Sequence, residues 1–171
     1  IGFGLVSTAY IQTEIIQDIT HDFKEKTKQE FTIEKVSIRW NGKLQFSDFY
    51  IEDHHGDTLL FMKEFKTSIL DFKKLNNSDF DLDAVEASQV YFNLKKYPNE
   101  ETHSLKILLN KLRKDSLNKN KVLTRTSSIE IVQGQFVYND LNKDKSQRIQ
   151  IDELIFLGSD VVYQGDQLDL K

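Results

Sequence analysis

The sequence predicts a mainly β protein: an elongated, repeating antiparallel β-groove (a meander of hairpins) with an N-terminal membrane-proximal helix and one internal amphipathic helix. Three observations predict it. From Phe31 onward, apolar and polar residues alternate over most of the chain, the period of a strand with one buried face. Turn signals such as Asn41-Gly42 punctuate the alternation. A helical period replaces it in two places, before Thr27 and at Leu105–Leu112.

The first helical stretch opens with an uncharged run from Ile1 to Thr13. That is shorter than the roughly 20 residues a bilayer crossing needs. The chain starts at Ile1 rather than at methionine, so the run reads as the end of a membrane anchor cut from something longer. Ile11, Ile15, Ile19 and Phe23 then recur every fourth residue, with Ile16 beside them, while Asp18, His21, Asp22, Lys24, Glu25 and Lys26 fill the rest. An ordinary core-packing helix or a leftover signal segment would give the same pattern. Residues 1–27 are therefore expected to be the end of an anchor plus an amphipathic helix. Residues 28–171 are expected to be the N-terminal part of a repeating β-groove domain that continues beyond Lys171.

The strands follow in order. Val36, Ile38 and Trp40 alternate up to Asn41-Gly42, and Leu44 and Phe46 alternate after it, which reads as a tight hairpin. Phe49 and Ile51 suggest a third strand. Asp53-His54-His55-Gly56-Asp57 is a polar turn in which Gly56 supplies the backbone freedom. Further strands are expected at Leu59–Phe61, Phe65–Phe72 and Leu82–Leu94. After the helix, Ile129 and Ile131 lead to a turn at Gln133-Gly134-Gln135, then Phe136 and Tyr138, then Ile149 and Ile151. VSIRWNGKLQF, IEIVQGQFVYND and VVYQGDQLDL share one theme: apolar pair, Gly turn, apolar pair. Repetition favours an elongated sheet over a closed globule.

Composition narrows the function classes. The chain of 171 residues is 39% hydrophobic and 29% charged, which places it outside both disordered chains and polytopic membrane proteins. A formal net charge of −4 gives nucleic-acid binding no support. With no cysteine, disulfides, thiolate metal sites and cysteine nucleophiles are excluded.

No catalytic constellation is visible. G-x-S-x-G, phosphate-cradling glycine loops and H-E-x-x-H are all missing. His54 and His55 are neighbours, and on a strand their side chains would diverge and grip one metal poorly. With Asp53 and Asp57 they could form a loop metal site, but a solvated turn accounts for them. Asp79, Asp81 and Asp83 alternate as the wet side of a strand would. The basic residues around Leu105–Leu112, including Lys106, Lys111, Arg113 and Lys114, could meet anionic lipid or simply face water. The sequence thus predicts no enzyme, no cofactor and no metal.

One resemblance adds to this reading. YIQTEIIQDIT, FTIEKVSIRWNGKLQFSDFYIEDHHGDTLLF and SIEIVQGQFVYND resemble the N-terminal region of the AsmA-like family, TamB type, as found in Bacteroidetes-like bacteria. The likeness covers residues 10–70 most firmly. It implies a trough with an apolar interior, anchored in the inner membrane, its body in the periplasm of the bacterial cell envelope. It implies transfer of phospholipid between the inner and outer membranes in support of outer-membrane biogenesis. Alternatively, the chain is an assembly scaffold for an Omp85-class outer-membrane barrel protein. The residues that would line the trough, with inward orientation taken from alternation, are Ile38, Trp40, Phe46, Phe49, Ile51, Phe92, Leu94, Ile131, Phe136, Tyr138, Ile149 and Ile151. The Leu105–Leu112 helix departs from a plain trough.

Overall fold

The computed structural model describes residues 17, 20–38, 43–68, 79–114, 123–142, 147–164 and 167–169. The expected anchor run Ile1–Thr13, the Asn41-Gly42 turn with Trp40, and Phe72 lie outside the described residues. No helix among those described is long and apolar enough to cross a membrane.

The chain is mainly β. Its strands are β1 (Phe31–Ile38), β2 (Lys43–Glu52), β3 (Thr58–Ser68), β4 (Asp79–Leu82), β5 (Val85–Lys96), β6 (Leu123–Asp140), β7 (Gln147–Gln164) and β8 (Gln167–Asp169). All eight join one sheet in the order β1-β2-β3-β5-β6-β7-β8. β4 pairs with the start of β6, end to end with β5 along the same edge. Among the described residues two helices accompany the sheet: α1, described over residues 20–27, and α2 (Ser104–Lys114).

The expected all-antiparallel meander is corrected at one joint. β1, β2, β3 and β5 pair antiparallel in turn, as do β6, β7 and β8, but β4 and β5 both run parallel to β6, β5 from Val85↔Ile129 to Lys96↔Asp140. A parallel pair cannot be closed by a tight turn and needs a crossover connection. The internal helix is that crossover. It leaves the end of β5, where the Lys95 amide donates to Ser104 Oγ (3.2 Å), and reaches α1, where Lys111 Nζ donates to the Thr27 carbonyl (2.8 Å).

The strands are also fewer and longer than alternation suggests. Phe49 and Ile51 do not form a strand of their own; they continue β2 after Leu44 and Phe46. Leu60 and Phe65 share β3, and Gln133-Gly134-Gln135 lies in the middle of β6 rather than at a turn. The cause is a crease that crosses the sheet. Ladder pairing lapses at Glu34/Asp48, Asp48/Lys63, Lys63/Gln89 and Gln89/Gln133, one continuous line through five strands. On that line Asp48, Gln89 and Gln133 all have positive φ (52°, 49° and 54°). Register is the same on both sides of the line in β1–β2, β2–β3 and β3–β5, so each strand spends one extra residue there.

The extra residue changes the apolar spacing from two to three without moving the apolar side chains off their face. Leu44 and Phe46 are followed by Phe49 and Ile51, Val85 and Ala87 by Val90 and Phe92, Ile129 and Ile131 by Gly134 and Phe136. Phe46, Phe49 and Ile51 accordingly pack together on the buried cluster of Phe31, Ile33 and Val36, which Phe23 of α1 also covers. A second line follows Asp83, Ser127 and Asp160, the last at φ 47°. There Ser127 Oγ donates to Asp83 Oδ1 (3.2 Å), and Thr126 Oγ1 donates to the Asp83 carbonyl.

Candidate functional site

Residues paired across neighbouring strands share a face of the sheet. Three rows traced through the pairings show what the apolar face holds. One is Val36, Phe46, Phe65, Ala87, Ile131 and Phe156; the next, across the crease, is Ile33, Phe49, Met62 and Val90, with the pair Gly134 and Leu154 beyond a lapse in the β5–β6 ladder; the third is Phe31, Ile51, Leu60, Phe92, Phe136 and Ile151. No charged residue interrupts any of them. Aromatic rings touch along the rows, Phe46 on Phe65 at 5.6 Å and Phe92 on Phe136 at 5.9 Å.

The opposite face is largely polar. Its pairs include Gln45 with Lys66, Ser47 with Glu64, Glu64 with Ser88, and Glu86 with Glu130.

Of the residues expected to line a trough, ten have described side chains and fall on the apolar face. Phe46, Phe49 and Ile51 pack against the buried cluster under α1. Phe92, Leu94, Ile131, Phe136 and Tyr138 are half-buried across β5 and β6. Ile149 and Ile151 on β7 are 55% and 40% exposed. Ile38 closes β1 opposite Leu44. Among these positions cover is thinnest at Ile149 and Ile151, while Val161 farther along β7 is buried. The same face also carries Leu60, Met62, Phe65, Val90, Leu154 and Phe156, which the expected lining leaves out although alternation sets Val90 with Phe92 and Leu94; the three-residue step from Met62 to Phe65 mimics a strand end.

A second, polar cluster gathers at the β2–β3 turn. Asp53 is buried and caps the turn, its Oδ1 accepting from the amides of His55 (2.9 Å) and Asp57 (3.1 Å). Gly56 sits at φ 83°, which only glycine adopts freely. The Tyr97 hydroxyl lies 2.7 Å from Asp53 Oδ2 and 2.6 Å from Asp57 Oδ2, and Lys95 Nζ donates to Asp57 at 2.6 Å. Burial, with these two carboxylates, raises the Tyr97 pKa far above its ordinary value. The Lys95 and Tyr97 hydrogen bonds hold Asp57 below the usual carboxylate range.

The expectation that His54 and His55 diverge is corrected here. They occupy a turn, not a strand, and both Nε2 atoms reach Glu100 Oε1, at 2.7 and 3.1 Å. Asp53 and Asp57, the partners considered from sequence, point to Tyr97 instead. Glu100 is forty-six positions from His54, so no local pattern signals it. Burial pushes the Glu100 carboxyl upward, but hydrogen bonds from the two imidazoles outweigh this and leave it below its ordinary value.

No protein-family model and no curated protein matches this chain. The fold and its surfaces define a mainly β protein with one apolar sheet face, partly covered, and an opposite face that is polar around Gln45, Glu64 and Glu86 and carries Tyr50, Phe61, Tyr91 and Val137 elsewhere.

Proposed function

We propose that this chain is part of a lipid-transfer conduit of the bacterial envelope, in which the apolar sheet face forms an open groove that carries phospholipid acyl chains. The observation that supports it most is the continuity of that face. Creases would reverse alternate side chains if each strand kept its pleat; instead the five strands that the first crease crosses step by three and keep their apolar residues on one side. A sheet that needs only a sealed core buries such a face, yet here cover falls off toward Ile149 and Ile151. Each buried acyl CH₂ is worth about 0.8 kcal/mol, so a lipid tail is a strong ligand for such a surface. The conduit would be anchored in the inner membrane, lie in the periplasm and support outer-membrane biogenesis.

A photo-crosslinking side chain at Phe136, read in cells by adduct mass, tests this. Lipid adducts are expected. Protein adducts at that site, or none with normal expression, would rule the groove out.

A second reading rests on β7. Ile155 and Leu157 point away from the apolar face and are each 71% exposed. Among the described residues, β7 has a partner on its outer edge at Val162–Gln164 alone. An apolar, unpaired edge is a template for another chain, and this favours a scaffold that holds an Omp85-class barrel protein. Crosslinks from Leu157 to protein, unaffected by charges placed at Ile151, would favour it.

A further inference from the structure

We propose that His54, His55 and Glu100 form a binding site for a single divalent transition-metal ion of the Zn²⁺ type. The three side chains present two imidazole nitrogens and a carboxylate oxygen, all within 4.8 Å of one another. That donor set is typical of Zn²⁺, which takes nitrogen and oxygen ligands at about 2.0–2.2 Å and leaves a fourth position to water. Imidazoles favour late first-row ions over Ca²⁺ or Mg²⁺, which prefer all-oxygen cages.

The ligands are held in place before any ion arrives. Asp53 locks the turn that carries both histidines through its contacts with the His55 and Asp57 amides. The His55 ring stacks on Tyr97 with centroids 3.7 Å apart, and the His54 ring meets Tyr97 edge-on at 5.5 Å. Glu100 is positioned from the other side. Its amide donates to the Tyr97 carbonyl (3.1 Å), and its own carbonyl accepts from Asn142 Nδ2 (3.0 Å).

One further atom points to a ligand. Glu100 Oε2 is buried without a hydrogen-bond partner. An unpaired buried carboxylate oxygen is costly, and an ion on Glu100 would give Oε2 a cation to face. The ion would tie the β2–β3 turn to the connection that leads into α2, two segments joined here by side chains alone. This inference does not depend on lipid transport.

The test is isothermal titration of the tag-free chain with Zn²⁺, followed by Co²⁺ absorption spectroscopy. One ion per chain is expected, with micromolar or tighter affinity, a tetrahedral Co²⁺ spectrum and a raised melting temperature. His55→Ala and the near-isosteric Glu100→Gln should each weaken binding by about tenfold or more, and His103→Ala should leave it unchanged. No saturable binding by the folded chain would overturn the proposal. So would affinity that survives the double variant His54→Ala/His55→Ala, or that falls equally with His103→Ala.

Discussion

Asp48 of β2 and Lys63 of β3 stand opposite each other where the ladder between their strands lapses, and a 2.6 Å ion pair spans the gap. Asp48 takes a left-handed backbone there, at φ 52°. The side chains thus bridge a place where the backbone does not pair. Lys63 draws the Asp48 carboxyl below its ordinary pKa. The pair is solvent-facing, so its role is geometric more than energetic.

The same line passes through Gln89 and Gln133, both at positive φ. Glycine in a strand normally costs about 0.5–1 kcal/mol. At these two positions the left-handed backbone already costs an L-residue about 1–2 kcal/mol. Gln89→Gly and Gln133→Gly should therefore be neutral or slightly stabilising in urea denaturation. Gln89→Val, a better strand former elsewhere, should lose about 1–3 kcal/mol. The reverse order of midpoints would mean that the crease is absent in solution.

Gly134 answers a different need. Its φ is ordinary, but a Cβ there would meet the Leu154 carbonyl oxygen at 3.0 Å and the Leu154 Cβ at 3.1 Å. This is where β6 and β7 shift register. Gly134→Ala must push backbone away from backbone and should cost about 1–3 kcal/mol. An unchanged denaturation midpoint would show that β7 is free to yield.

The sequence makes the fold class and the apolar face legible because strand alternation depends on side chains alone. It hides the strand lengths. Leu44–Phe46 and Phe49–Ile51 look like two strands since a step of three breaks the period, and only register across Asp48, Lys63, Gln89 and Gln133 reveals one crease. Gln133-Gly134-Gln135 has turn chemistry but is spent inside β6. The parallel β5–β6 pair was also hidden, although the helix that makes it possible is plain at Leu105–Leu112. Likewise Glu100 joins His54 and His55 through a contact that folding alone creates.

The apolar face should divide into a structural part and a part open to ligand. Ile33 is buried under α1 with Phe31 and Val36. A carboxylate there has no partner and should cost several kcal/mol, a large share of the roughly 5–15 kcal/mol that holds a domain together. Ile151 is 40% exposed, so Ile151→Asp should cost about 1 kcal/mol or less. Circular dichroism melts of Ile33→Asp and Ile151→Asp should show loss of the folded transition in the first alone. Equal losses would mean the face is one sealed core, and the groove reading would fail with it.

Acid should expose the Asp57 contacts. Its folded pKa lies below the unfolded value because Lys95 and Tyr97 bond the carboxylate. A depressed carboxylate contributes stability that is fully present above the unfolded pKa of about 4 and is lost as pH falls through the folded value. Asp57→Asn removes that dependence. The stability difference between the wild-type chain and Asp57→Asn should hold steady near neutral pH and shrink as pH drops from about 5 to 2. The Asp57 side chain is 48% exposed, so salt should narrow the gap as well. Glu100 and Asp48 are also depressed and keep their own acid slopes in both proteins, so the difference between the two curves, not either curve alone, isolates Asp57. Parallel curves across that range would show that Lys95 and Tyr97 do not hold the carboxylate in solution, and the polar clamp at the β2–β3 turn would have to rest on Asp53 alone.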